Sequence, residues 1–232
     1  MLMEWIGHSC FYLTTKDGKT IIIDPYDNTI GLKVATKPAD IVLITHDHFD
    51  HRNQEYIDAL PKESTVIEKE GSYEVDGVKI TGIPVFHDEE QGKQRGIVIT
   101  YVIETDGMRL LHMGDVGAMP EPAYFEKIGK IDILMIPVGG FYTVDAKGAL
   151  NIMDIIHANI TIPMHYLTGT LNMTELASAH DFLARASSRE YDVSRLGGGV
   201  FDITEMCIRD RTGTDKKATA ICRRFSFASI YT

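Results

Sequence analysis

The chain has 232 residues, of which 44% are apolar and 24% are charged, and this size and composition suit one large soluble domain. The formal net charge of −10 disfavours a long nucleic acid as partner, because negative surface charge repels a phosphate backbone. No run of about 18 apolar residues is present to span a membrane, and the first residues lack the pattern of a secretory signal. Three cysteines, Cys10, Cys207 and Cys222, are too few for a disulfide framework, so we expect a reduced protein of the cytoplasm.

The first half of the chain is dominated by short apolar runs that predict β-strands. Residues 41–44 are apolar on both faces, which indicates a central strand that is covered on both sides. Residues 53–60 predict a helix that ends before Pro61, and the Asp-Gly pairs at 76–77 and 106–107 predict hairpin turns. The predicted strands are residues 10–15, 20–24, 40–45, 66–68, 73–75, 78–83, 97–104 and 108–112.

Strands and helices alternate in the second half of the chain. Residues 131–137 and 161–165 predict strands, and residues 145–158 and 174–186 predict helices, the second with Thr174 as its N-cap. Strands followed by alternating strands and helices favour two sheets that pack face to face with helices outside. We therefore predict an α/β fold, a four-layer αββα sandwich, over residues 1–204.

Residues 205–232 differ from the rest of the chain. They are net basic whereas residues 1–204 are net acidic, they hold two of the three cysteines, and they show no clear period. The sequence of residues 206–211 also resembles peptides that arise when adapter DNA from environmental sequencing is translated as if it were part of a gene. We interpret residues 205–232 as a disordered or non-native tail, and the alternative is a basic arm that binds an acidic partner.

Residues 45–51, with the sequence Thr-His-Asp-His-Phe-Asp-His, carry the strongest functional signal. Imidazole nitrogens and carboxylates are the natural ligands of zinc and similar divalent metals. Alternate residues in a loop at a strand end can point the same way, so His46 and His48 can share one metal. Asp50 and His51 follow a turn later and can reach a second metal. A solvated polar loop is the alternative, but the desolvation and charge of four such groups would need compensation.

Five further motifs stand along the chain in a fixed order around this H-x-H-x-D-H pattern. They are Gly-His-Ser at 7–9, Ile-Ile-Ile-Asp-Pro at 21–25, His-Met-Gly-Asp at 112–115, Pro-Val-Gly-Gly at 137–140 and Pro-Met-His-Tyr at 163–166. Together with the histidine motif they resemble the metallo-β-lactamase superfamily, and within it the ascorbate-phosphate-lactonase-like branch, over roughly residues 3–204. The resemblance implies the metallo-β-lactamase fold and a hydrolase with two metals.

The same resemblance implies the remaining metal ligands. His87 corresponds to the third histidine of the first metal, beside His46 and His48. His165 corresponds to the last ligand of the second metal, beside Asp50 and His51, and the carboxylate of Asp115 joins the two metals. Zinc is the default metal, and manganese or iron suits the same donors. Each assignment has a structural alternative: a solvated loop for His87, an ordinary turn for Asp115 and a core histidine for His165.

Four other histidines and one cysteine receive weaker interpretations. His112 is expected to orient a ligand from behind the site, with direct ligation as the alternative. His8 lies in a motif near the site and is equally well explained as a buried structural residue. No role is assigned to His157 or His180, and Cys10 is interpreted as a buried strand residue without a catalytic partner.

The implied mechanism is hydrolysis by a hydroxide that bridges two metals. Two metals about 3.5–4 Å apart lower the pKa of a shared water and bind the carbonyl or phosphoryl oxygen of the substrate. Asp50 and Asp115 are the predicted catalytic residues, since Asp50 is also placed to orient the hydroxide. Predicted substrate contacts are Tyr142, Thr143, Asp145, Lys93 and Arg95. Their alternatives are a solvated loop and, for Asp145, the N-cap of the following helix.

Three classes of function follow from these residues. The first is hydrolysis of a small ester, lactone or phosphodiester, and the branch resemblance points to a lactone of a phosphorylated sugar acid. The second is nuclease-type or phosphodiesterase cleavage, for which the acidic chain disfavours a long RNA. The third is a non-catalytic metal-binding protein of the same fold. We expect a small-molecule substrate, which carries a phosphate in one version of this hypothesis. We expect no membrane partner, and a homo-oligomer remains open.

Overall fold

The computed structural model describes residues 1–189, 191–196, 200–202 and 226–230, with only the strand backbone for 194–196, 200–202 and 226–230. Two β-sheets and four α-helices form this part of the chain, which confirms the predicted α/β fold. The helices are α1 Gln54–Asp58, α2 Pro122–Ile128, α3 Ala146–Ile156 and α4 His180–Ser188. None of them is long and apolar enough to cross a membrane.

The first sheet contains six strands among the described residues, in the order β13-β1-β2-β3-β4-β5. Strands β1 to β3 are antiparallel neighbours, and β3, β4 and β5 run parallel. Because β4 is paired on both sides and all its residues are buried, the predicted central strand is confirmed. The strands are β1 Leu2–Gly7, β2 Cys10–Thr14, β3 Thr20–Ile23, β4 Ile41–Leu43, β5 Thr65–Ile67 and β13 Val200–Asp202.

The second sheet contains eight strands among the described residues, in the order β12-β14-β11-β10-β9-β8-β7-β6. Strands β6 to β9 form an antiparallel meander, and β9, β10 and β11 run parallel. The strands are β6 Gly71–Val75, β7 Val78–Phe86, β8 Ile97–Thr105, β9 Met108–His112, β10 Ile133–Pro137, β11 Ile160–Met164, β12 Asp192–Leu196 and β14 Ser226–Ile230.

Strand β3 shows how alternate residues build two apolar clusters. Ile21 and Ile23 lie in the main core with residues of the second sheet, whereas Ile22 lies in a smaller cluster with Tyr56 of α1. Successive side chains of a strand point to opposite faces, so a continuous apolar run is needed when both faces are covered. This burial places the polar loops after the strands at the edge of the sheets, where the functional residues lie.

The predicted helix over residues 174–186 is wrong at its start. Helix α4 begins at His180, and Thr174 is not its N-cap. The backbone around Ala177 is engaged elsewhere, since its N–H donates to Gly139 O and its carbonyl accepts from Leu167 N. These bonds between loops replace the helical bonds that the apolar spacing favoured. Strand β1 and helix α2 were not predicted, and β1 pairs between β13 and β2 in the first sheet.

Most of the predicted tail lies outside the described residues. Of residues 205–232, only the backbone of β14 is described, and it pairs in parallel with β11 and β12. The division into a domain over residues 1–204 and a tail stays a prediction.

Candidate metal centre

The seven predicted ligands converge because each follows the end of a strand. The loop over residues 45–51 begins just after β4, His87 directly follows β7, and His165 directly follows β11. Asp115 stands three residues after β9. The carboxyl ends of parallel strands meet at one edge of a sheet, which is where α/β folds place their sites.

Three groups of side chains have ligand atoms within 4.8 Å of one another. One consists of His46, His48 and His87, as the sequence predicts for the first metal. A second unites Asp50, His51 and His165 with His8, and the third unites His46 and His51 with Asp115. The structure therefore brings all seven predicted ligands together and adds His8.

Asp115 lies between the two predicted sets of ligands. Its Oδ2 is 3.0 Å from His165 Nε2, 3.8 Å from His87 Nε2 and 3.9 Å from His46 Nε2. Its Oδ1 is 3.1 Å from His51 Nε2. One carboxylate thus approaches histidines of both sets.

Several of these buried atoms have no hydrogen-bond partner. They are His46 Nε2, His51 Nε2, Asp115 Oδ1 and both ring nitrogens of His87 and His165. The contacts of His51 and His165 with Asp115 are short in distance but lack hydrogen-bond geometry. Buried polar atoms without partners are costly, and a divalent cation would satisfy them. The residues present therefore fit a metal, with an N/O donor set that suits zinc.

Two hydrogen bonds decide which nitrogen His46 and His51 offer. His51 Nδ1 donates to Asp24 Oδ2 at 2.8 Å, so its Nε2 is left for a metal. Thr45 Oγ1 donates to the same carboxylate at 2.8 Å and accepts from His46 Nδ1 at 2.9 Å, which likewise leaves His46 Nε2. Such bonds fix the tautomer and the ring orientation of metal-binding histidines.

Asp24 lies in the sequence motif at residues 21–25, but no role was predicted for it. Asp24 is fully buried at the end of β3, which is the parallel neighbour of β4. The sequence feature that could have identified Asp24 as a supporting residue is its position at the end of the strand beside the histidine loop. His8 was left undecided; its Nε2 donates to Asp50 Oδ2 at 3.2 Å, and its ring lies 4.1 Å from the ring of His165.

His112 lies behind the site with both ring nitrogens engaged. Its Nε2 donates to Ser9 O at 2.9 Å, and its Nδ1 accepts from Gly114 N at 3.1 Å. With no free nitrogen, His112 cannot be a metal ligand in this arrangement. It joins the end of β9 to the turn after β1 and so supports the loop that carries Asp115.

The backbone around the cluster is tightly constrained. His8, Asp24 and His165 all have positive φ, at 51°, 49° and 50°. Such backbone strain in residues other than glycine is often found at functional sites. A Cβ at Gly117 would lie 2.3 Å from the carbonyl carbon of His87, and one at Gly139 would lie 2.2 Å from His165 O. Only glycine lets these loops approach the ligands so closely.

Burial and mutual charge set the pKa values of the cluster. Burial lowers the pKa of His46 to about 2, so its imidazole is neutral. Burial opposes the ionisation of Asp115, but His165 and His51 hold the pKa of this carboxyl well below its usual range. Burial opposes the protonation of His51, yet the carboxylates of Asp115 and Asp50 raise its pKa well above the usual value. A cation that replaces the proton of His51 would meet neutral imidazoles and ionised carboxylates.

The cluster is accessible on one side. His46 and His48 are half-buried, whereas Asp50, His51 and His165 are buried. A cavity of about 730 Å³ lies beside residue 87 and is lined by Asp88, Glu89, Glu90, Gln94, Gly117, Tyr142, Thr143, Asp145 and Lys147, among others.

The predicted substrate contacts occupy different places. Tyr142, Thr143 and Asp145 line this cavity. Asp145 also caps α3, since its Oδ1 accepts from Gly148 N at 2.8 Å. Lys93 and Arg95 do not line the cavity, but the Arg95 guanidinium lies over the Tyr142 ring, 3.1 Å from its centroid.

Known proteins of this fold match most of the chain. A model described as a beta-lactamase superfamily domain matches residues 2–165. A UPF0173 metal-dependent hydrolase of Thermococcus onnurineus is 32% identical over 192 residues, covering 72% of this chain and 84% of the relative. A solved chain from Thermotoga maritima, assigned to the Zn-dependent hydrolases of the metallo-β-lactamase superfamily, is 32% identical with a TM-score of 0.71, covering 100% of this chain and 99% of that one.

A metallo hydrolase from Ignicoccus hospitalis is 24% identical with a TM-score of 0.65, covering 87% of this chain and 98% of that one, and shows the same fold. The histidine and aspartate cluster stands at the strand ends where a metal can be bound. The chain therefore belongs to the metallo-β-lactamase superfamily and is a metal-dependent hydrolase by family.

Proposed function

We propose that the protein binds two divalent metals, zinc by default, and hydrolyses a small ester, lactone or phosphodiester. The position of Asp115 carries this proposal. Its two carboxylate oxygens lie within 3.9 Å of the Nε2 atoms of four histidines, two from each predicted set. A carboxylate between two ligand sets is the arrangement that a shared, two-metal site requires.

When bound, the two cations would supply a water that ionises near neutral pH and an electrophile for the oxygen of the scissile group. His46, His48 and His87 would hold the first cation, and Asp50, His51 and His165 the second. Asp115 would serve both. Manganese and iron remain alternatives, because the same nitrogen and oxygen donors suit them.

Asp50 is placed to handle the proton of the attacking water. Burial by itself would raise the pKa of Asp50, but the positive charge of His51 and the hydrogen bond from His8 hold this pKa well below its usual value. The carboxylate is therefore ionised and can accept a hydrogen bond from water. His8 Nε2 donates to Asp50 Oδ2, so one oxygen is held in place.

Two alternatives stay open. Nuclease-type cleavage uses the same metal chemistry, but the net charge of −10 disfavours a long nucleic acid. A non-catalytic metal-binding protein would keep the cluster without turnover. The cytoplasmic location and a homo-oligomer also stay predictions.

The decisive experiment loads the protein with zinc or, separately, with manganese, and assays a chromogenic phosphodiester beside a simple lactone. Asp115→Ala is the test variant. Asp47→Ala is the matched control, because Asp47 stands in the same histidine loop with a side chain that is 88% exposed. We expect turnover in the parent and in Asp47→Ala, and loss of turnover in Asp115→Ala.

The outcomes separate the alternatives. Lactone turnover without phosphodiester cleavage supports a lactonase, and the reverse supports cleavage of a small phosphodiester. Zinc bound at two equivalents without any turnover favours the non-catalytic protein. Equal turnover in Asp115→Ala and Asp47→Ala would contradict the proposed two-metal site.

A further inference from the structure

The loop between β7 and β8 is built around one carboxylate. Asp88 Oδ1 accepts from the backbone N–H of Glu90 and Gly92, at 2.8 and 3.0 Å. Asp88 Oδ2 accepts from the backbone N–H of Gln94 and Arg95, at 3.1 and 2.8 Å. Four hydrogen bonds to one side chain make the loop pre-organised, and they place Arg95 in a defined position.

Arg95 is a partly buried cation that has no ion pair with any described residue. Its guanidinium lies over the ring of Tyr142, 3.1 Å from the centroid, in a cation–π contact. Among the described residues, no carboxylate lies within 4.0 Å of this guanidinium. Arginine that is stacked on an aromatic ring keeps its planar fork of N–H donors free for a carboxylate or phosphate.

Arg95 lies close to the His87 side of the metal cluster. The backbone N–H of His87 donates to Gly96 O at 3.1 Å, so Arg95 stands one residue from this contact. Its guanidinium is stacked on Tyr142, which lines the cavity beside residue 87. His48 is half-buried and stands where the cluster is accessible. A substrate that approaches from this side therefore comes under the influence of Arg95.

No acidic side chain nearby forms an ion pair with this cation among the described residues. The carboxylate of Asp88 accepts hydrogen bonds within the loop, and that of Asp145 accepts from Gly148 N as the cap of α3. Glu90 accepts from the side chain of Gln94 at 2.8 Å.

We propose that Arg95, held on the ring of Tyr142, binds an oxyanion group of the substrate, a carboxylate or phosphate that lies apart from the bond to be cleaved. This inference rests on the proposed function, because the bond to be cleaved would lie at the metals. It narrows the substrate class to small esters, lactones or phosphodiesters that carry a second anionic group.

The test measures equilibrium binding, without turnover, to the zinc-loaded protein. Acetate, succinate and 3-phosphoglycerate are titrated by calorimetry into the parent and into Arg95→Gln. Acetate has one anionic group, succinate has a second carboxylate, and 3-phosphoglycerate has a phosphate beside its carboxylate. The parent is expected to bind the two larger anions more tightly than acetate. Arg95→Gln is expected to weaken them by about 10- to 100-fold and to leave acetate within about twofold.

Lys79→Gln is the matched control. Lys79 is exposed near the start of β7, at the opposite end of the strand from His87, and its replacement removes the same unit of charge without touching the contact between Arg95 and Tyr142. A general effect of charge would weaken binding equally in both variants. Arg95→Lys retains the charge but loses the planar fork, and we expect it to recover only part of the affinity. Zinc content and the melting temperature are measured for every variant.

Each outcome decides the inference. A loss confined to 3-phosphoglycerate assigns Arg95 to a phosphate, and a loss that includes succinate assigns it to a carboxylate. Unchanged affinities in Arg95→Gln, equal losses in Lys79→Gln, or a parent that binds acetate as tightly as the others would overturn the inference. A protein that binds these anions through Arg95 but turns over neither the phosphodiester nor the lactone would favour the non-catalytic alternative and leave the anion site standing.

Discussion

Single side chains behind the cluster determine how its ligands are presented. Asp24 orients His51 directly and His46 through Thr45, since all three bonds meet at its carboxylate. His8 does the same for Asp50. The histidine motif predicts four of the ligands because histidine and aspartate have few other reasons to cluster in a loop, and the resemblance to the superfamily implies the other three. Neither predicts these supporting contacts, because they join residues that are 21 to 42 positions apart.

Replacement of His8 tests its support of Asp50. His8→Phe keeps an aromatic ring in the buried space but removes the donor to Asp50 Oδ2. We expect zinc affinity to fall by about 10- to 100-fold for one of two equivalents, the range typical when such a supporting contact is lost. Competition with a chromogenic chelator measures the affinity. The control is His180→Phe on the exposed start of α4, and equal affinities in the two variants would contradict the prediction.

At the scale of elements, the parallel strands β3 and β4 are joined at their starts by one side chain. Asp40 Oδ2 accepts from Thr20 N and Thr20 Oγ1, both at 2.8 Å, and Thr20 Oγ1 accepts from Asp40 N at 3.0 Å. The pairing of these strands positions the histidine loop that follows β4. Helix α4 illustrates the opposite case, because its start was decided by bonds to other loops and not by its own apolar spacing.

Asp40 also predicts a pH dependence of stability. Hydrogen bonds from Thr20 lower the pKa of Asp40, so the folded state binds this proton less readily than the unfolded state. The stabilisation is present above the unfolded pKa of about 3.9 and is lost as the pH falls towards the folded pKa. We expect Asp40→Asn to lower the free energy of unfolding by about 1 kcal/mol at pH 7, and by less near pH 3.

Urea unfolding of both proteins, with a chelator at every pH, measures this difference. Chelation keeps the release of metal at low pH from adding to the change. The exposed Asp17 supplies the control variant Asp17→Asn, for which no difference is expected at either pH. A destabilisation of Asp40→Asn that is as large at pH 3 as at pH 7 would count against ionisation of Asp40 as its source.

At the scale of the whole molecule, the metal cluster joins parts of both sheets. The loop after β4 belongs to the first sheet, whereas His87, Asp115 and His165 follow strands of the second sheet. A cation bound between them would link the two layers and remove the cost of buried atoms without partners. Stability should therefore depend on the metal as strongly as activity does.

We expect removal of zinc to lower the melting temperature by about 5–15 °C, because ligand at 100 to 1,000 times its Kd contributes about 3–4 kcal/mol. Calorimetry with chelator and with readded zinc measures the shift. Asp115→Ala should show a much smaller shift, since its cluster lacks the shared carboxylate. A shift of the same size in Asp115→Ala would place the stabilising zinc elsewhere.

Truncation after Thr204 tests the predicted tail. If residues 205–232 are a tail, the shortened chain should bind zinc with the stoichiometry of the full chain and melt at the same temperature. Atomic emission and calorimetry measure the two quantities. A loss of cooperative melting would show instead that the pairing of β14 with β11 and β12 contributes to the native sheet.

The sequence by itself predicted the class of fold and the four ligands of the histidine loop, and its resemblance to the superfamily implied the other three ligands. Continuous apolar runs predict covered strands, and clustered histidines and aspartates predict a metal, because both follow from local chemistry. Only the tertiary structure decided which nitrogen each histidine offers, that His112 is fully engaged, and that His8 and Asp24 support the ligands. It also decided that Arg95 is stacked on Tyr142 and has no ion pair among the residues that the structure describes. These properties depend on contacts between distant segments, and no local pattern of residues encodes their geometry.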